Sequence, residues 1–81
     1  MQNALVTKAR ILDEAGYFYN FEREIYVNRK TKKAFSVDFI EDRDEEEIQK
    51  CIRQLPDGGW HFYFISDPSE AVRRELESVL G

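Results

Sequence analysis

Arg29-Lys30-Thr31-Lys32-Lys33 gathers four cations within five positions, with no acid among them. A run of this kind can grip phosphate oxygens, either of single-stranded nucleic acid or of a nucleotide. Four cations allow only a few phosphate contacts, so binding would be weak and salt-sensitive unless something also read the bases. Tyr26, His61 and Tyr63 would supply stacking if they stood on an open sheet face, with Phe18 nearby. Arg29, Lys30, Lys32, Lys33, Tyr26, His61 and Tyr63 are therefore the candidate binding residues. Each half of the set also has a plainer explanation. Lysines at a hairpin tip discourage edge-to-edge strand pairing, and exposed aromatics on a small domain commonly mark a protein interface. The Arg/Lys-Gly-Phe type of motif found in RNA-binding sandwiches is absent.

Other chemistry finds less support. A Cys/His nucleophilic pair would need Cys51 and His61 within hydrogen-bond reach and a third group to orient them. Their expected placements, Cys51 on the apolar stripe of a helix and His61 in an aromatic strand, do not provide that. The acids from Glu41 to Glu47 lack the pattern of a calcium loop, and there is no second histidine to share a metal. Gly58-Gly59 precedes a strand instead of opening a helix, so it is not a phosphate-cradling loop. The expectation is a non-enzymatic domain with no cofactor, no metal and no evident small-molecule substrate.

The 81 residues are 42% hydrophobic and 14% aromatic, enough for one small domain, residues 1–81, with a modest core. The net charge of −4 argues against attraction of the whole molecule to nucleic acid or anionic membrane. The single cysteine excludes an internal disulfide and suits a reducing compartment, so a cytoplasmic, soluble protein is expected. Charge is distributed unevenly, with the basic run soon followed by an acidic segment over residues 38–47.

The elements that must position these residues follow from periodicity. Asn3 as N-cap, then Leu5, Ala9, Ile11, Leu12 and Ala15, predict a first helix over 4–15 that ends at Gly16. Tyr17 to Phe21 reads as a short aromatic strand. Residues 24–28 and 34–39 alternate with period two and read as a hairpin around the basic tip. If Ile25, Val27, Phe35, Val37 and Phe39 share one face, Val27 pairs with Phe35. The loop is then Lys30–Lys32 or, preferably, Arg29–Lys33. A competing possibility is that Ser36 caps a helical turn through residues 37–40. Asp44 with Glu47 has the capping-box form for a second helix over 45–55, ended by Pro56-Asp57-Gly58-Gly59. Trp60 to Ile65 is a strand. Asp67, Pro68 and Glu70 open a third helix carrying Val72, Leu76, Val79 and Leu80, which stops before Gly81.

The predicted architecture is an α+β two-layer sandwich of order α-β-β-β-α-β-α. Its mainly antiparallel four-stranded sheet carries the first and third helices on one face. The favoured function is contact with a protein partner, or self-association with a second copy, through the outer sheet face and basic hairpin. Weak single-stranded nucleic-acid binding through the same residues is the alternative.

Overall fold

A computed structural model describes residues 4–55 and 58–80. Asn3, Pro56, Asp57 and Gly81, and the side chain of Leu5, lie outside the described residues. The elements are α1 (Ala4–Glu14), β1 (Phe18–Asn20), β2 (Ile25–Asn28), β3 (Lys33–Ser36), α2 (Val37–Asp42), α3 (Glu45–Arg53), β4 (His61–Tyr63) and α4 (Glu70–Leu80). The sheet order is β1-β2-β3-β4, with β1, β2 and β3 antiparallel and β4 parallel to β3. The α+β class and the mainly antiparallel four-stranded sheet are those expected from the sequence. The third strand stops early, because the Ser36 hydroxyl accepts a hydrogen bond from the Phe39 amide at 3.1 Å and starts α2. The helical turn weighed for residues 37–40 is thus the one formed.

The hairpin register differs from the expected one by a single residue. Tyr26 pairs with Phe35, Val27 with Ala34, and Asn28 with Lys33, leaving Arg29 to Lys32 as the loop. The cause lies in the loop itself. The Asn28 carboxamide oxygen accepts from the Lys30 and Thr31 amides at 3.0 and 3.1 Å, and Lys32 takes a left-handed conformation at φ 58° despite having a side chain. A one-residue slip sends a whole strand's side chains to the opposite face. Phe35 is therefore separated from Ile25 and Val27.

Two apolar cores result, one on each side of the sheet. The first gathers Leu12, Tyr17, Phe35, Phe39, Ile40 and Ile48 beneath α1, α2 and α3. Phe35 sits at its centre, stacked on Tyr63 at 4.5 Å and edge-on to Tyr17 at 5.4 Å. The second gathers Ile25, Val27, Ala34, Trp60, Leu76 and Leu80, with Phe62 and Phe64 alongside, beneath α4. The first and last helices, expected on one face, lie on opposite faces. With both faces covered, neither strand alternation identifies an outside.

Helix ends explain much of the remaining sequence. Tyr17 and Gly16 amides donate to the Leu12 and Asp13 carbonyls at 3.0 and 3.1 Å, and Gly16 adopts φ 93°, which closes α1 in a Schellman motif. Asp44 caps α3 by accepting from the Glu47 amide at 2.8 Å. For α4 the cap is Ser69, whose hydroxyl accepts from the Val72 amide at 3.3 Å, and not the expected Asp67. Glu70 becomes the first helical residue, so Pro68 falls before the helix.

Burial of Tyr17 has a consequence for pH. Loss of water around the phenolate pushes its pKa from 10.0 up to about 12, against a hydrogen bond from Thr31 that pulls it down. Because the folded value is the higher one, the associated stability is complete below pH 10 and is lost as pH rises toward 12. It amounts to about 3 kcal/mol. Denaturant melts across this range should show a steep alkaline loss in the native chain and a shallower one in Tyr17→Phe. Parallel losses would disprove the assignment.

Candidate binding surface

The structure disperses the residues that the sequence grouped. Lys33 is fully buried, and its ammonium donates to the carbonyls of Cys51 at 2.8 Å, Ile52 at 2.9 Å and Gln54. Arg29 donates from Nε to the Leu80 carbonyl at 2.9 Å, at the last turn of α4. Lys30 and Lys32 are exposed on the loop. Tyr26 is half-buried against Tyr19, with ring centroids 4.8 Å apart. Tyr63 is half-buried under Phe35 and Phe39, and its hydroxyl donates to Gln54 at 3.4 Å. His61 is half-buried beside Lys33's strand, and its amide donates to the Lys32 carbonyl at 2.9 Å. The aromatic face meant for stacking is thus the floor of the first core. Desolvation raises the pKa of both Tyr26 and Tyr63.

The hairpin has instead been recruited to finish helices. A helix leaves its last carbonyls without intrahelical donors, and α1, α2 and α4 carry no basic residue in their own last turns. Donors arrive from elsewhere in the chain. Asn28 Nδ2 reaches the Ala15 carbonyl after α1 at 3.3 Å, and Lys8 Nζ reaches the Ile40 carbonyl of α2 at 3.0 Å. Lys33 serves α3 and Arg29 serves α4, so one hairpin supplies three of these four contacts. Positive charge at a helix C-terminus is favoured by the macrodipole. Burial lowers the pKa of Lys33, while the neighbouring Cys51 pulls it the other way. Cys51 itself is half-buried, and its thiol pKa is raised by desolvation.

Among the described residues, the exposed aromatic surface lies along β1, an edge strand, and at Phe21 in the turn after it, while aliphatic side chains such as Leu55 and Ile65 are exposed elsewhere. Phe18 and Phe21 are 73% and 74% exposed, and Tyr19 is 48% exposed. β1 carries neither charge nor proline, the usual protections of a sheet edge. Beside it, between β1 and the end of α4, runs a groove of about 340 Å³ lined by Phe18, Phe21, Val27 and Leu80, with Glu22 and Arg29 on its rim. An adjoining hollow of about 440 Å³ brings Lys30 next to Phe18. Strand-edge aromatics were legible in the sequence as Tyr17 to Phe21, but their exposure depended on a sheet order that periodicity cannot give.

Among the described residues, no three His, Cys, Asp or Glu side chains converge to hold a metal ion. No helix there is long and apolar enough to cross a membrane. Comparison with protein-family models, with curated proteins and with solved structures gives no match for this chain.

Proposed function

We propose that this chain is a non-enzymatic binding domain that docks a protein along its β1 edge, with the neighbouring basic loop on the rim of the contact. The observation that carries this reading is the pair of largely exposed phenylalanines, Phe18 on the edge strand and Phe21 in the turn after it, beside a groove whose lining mixes apolar, polar and charged side chains. Aromatics are enriched at the anchoring points of protein interfaces, where they fill pockets on the partner. An edge strand also offers unpaired main-chain groups that another polypeptide can satisfy. Nucleic acid fits the same surface less well. Arg29 and Lys33 are already engaged with helix ends, and the stacking residues Tyr26 and Tyr63 lie in the first core.

The test is site-specific photo-crosslinking in cells, with a photoreactive phenylalanine derivative at position 18 and a control at the exposed position 46. Protein adducts from position 18, absent from position 46 and lost in a Phe21→Ser background, are the expected result. Adducts to nucleic acid alone, or none, would overturn the reading.

A further inference from the structure

We infer that the occupant of the β1 edge is a second copy of this chain, joined in a two-fold dimer through antiparallel β1–β1 pairing. The inference rests on the docking reading above and adds the identity of the partner. Its main support is the order of charge along the groove. Arg29 and Lys30 outnumber the one acid, Glu14, at the Phe18 end of β1, whereas Glu22 lies beyond Asn20 at the other end, where Arg23 is already paired with Glu75. Glu14, Glu22, Arg29 and Lys30 are all exposed. A two-fold axis perpendicular to the sheet reverses the second β1, so the basic end of each copy meets the acidic end of the other. A surface whose charges match under that operation is self-complementary, as an isologous interface requires.

The same axis keeps equivalent faces together. Both α4 helices then lie on one side of the joined sheet, with the Phe18 and Phe21 rings of the two copies in the trough between them. Each groove is open on its β1 side because α4 covers Ile25, Val27 and Trp60 but leaves Phe18 and Phe21 bare. The second copy supplies the missing apolar wall. With only three residues, β1 provides few main-chain hydrogen bonds, so the aromatic contact carries most of the affinity.

Sedimentation of the full chain over a concentration series tests this directly, using Glu22→Lys, Lys30→Glu and the double variant. These side chains are exposed, so the substitutions leave the fold intact. Each single reversal is felt twice across the axis and should weaken dimerisation by about fivefold to tenfold, while the double reversal restores it to within about threefold. Phe18→Ser should abolish the dimer at any salt. A native chain that stays monomeric at millimolar concentration overturns the inference, as does a dimer that the reversals do not weaken or that the double variant fails to recover. If the native chain is monomeric but position 18 still crosslinks to a different protein, only the identity of the partner falls. Loss of both signals removes the docking reading as well.

Discussion

Phe35→Ala should destabilise the chain by about 3–5 kcal/mol, the cost of emptying a fully buried aromatic site in a core that cannot collapse around the gap. The residue has no exposed surface, and its ring touches those of Tyr17, Phe39 and Tyr63, each fixed by a different segment. In a domain of this size the loss approaches the total stability expected of the fold. The variant should therefore be largely unfolded at 37 °C, as read by circular dichroism. Milder substitutions then test the register. Phe35→Leu and Ile25→Val should act additively, within about 0.5 kcal/mol, because the two residues belong to cores on opposite sides of the sheet. Phe35→Leu and Tyr63→Leu, whose rings stack at 4.5 Å, should not be additive. Strong coupling between positions 25 and 35 would favour the pairing of Val27 with Phe35 and refute the structure's register.

That contrast shows where the sequence was legible. Local signals were read correctly at two of the helix ends, though not at the start of α4, where Ser69 takes the capping place expected of Asp67. Gly16 ends α1 and Asp44 caps α3. The period-two stretch at residues 25–28 is a strand. Ser36 could be read as a cap, yet the apolar alternation through Phe39 favoured an extended strand, and only the packing of Phe39 and Ile40 against α1 decides for the helix. The register was harder because it depends on the loop. Asn28 stabilises a four-residue turn with its side chain, and Lys32 accepts a left-handed backbone that is usually left to glycine.

The binding surface was less legible still, for a reason of sheet order. Tyr26 and Tyr63 look like an outward pair as long as helices cover only one face. Once α1, α2 and α3 take the Phe35 side and α4 the Ile25 side, the exposed aromatics can only be those at an edge. The sequence marks Tyr17 to Phe21 as a strand rich in rings. It does not mark it as the edge, because strand order is set by tertiary contacts between residues far apart in the chain. The basic run is misleading in a similar way. A charge run is usually a solvated surface, and nothing local distinguishes exposed Lys30 and Lys32 from Lys33, which the register turns inward beneath the end of α3.

Lys33→Met should cost about 2–4 kcal/mol, more than any other substitution in the basic run. Three protons of the ammonium meet three carbonyls, those of Cys51, Ile52 and Gln54, so this donor set is fully used. Methionine fills the volume of the stem and leaves those carbonyls without their donor, at about 1–3 kcal/mol for each one that water cannot reach. Part of the loss is offset, because the buried charge no longer has to be desolvated, which is the burden that lowers the pKa of Lys33. This second term also has a sign in pH. Since the folded value is the lower one, the burden is complete at neutral pH and is relieved as pH rises toward the ordinary 10.5, a gain that the methionine variant lacks. Lys33→Arg should rescue little, because a planar guanidinium cannot point its donors at three carbonyls that converge on one atom. Equilibrium unfolding gives the size of the effect, and amide exchange gives its location. Protection should fall first in the last turn of α3 and along β3, the two segments joined by this side chain. Lys30→Met, by contrast, should change stability by less than about 0.5 kcal/mol, as expected of an exposed loop cation. If the two variants proved equally stable, Lys33 would belong to the solvated tip that the sequence first suggested, and the hairpin would lose its role in closing α3.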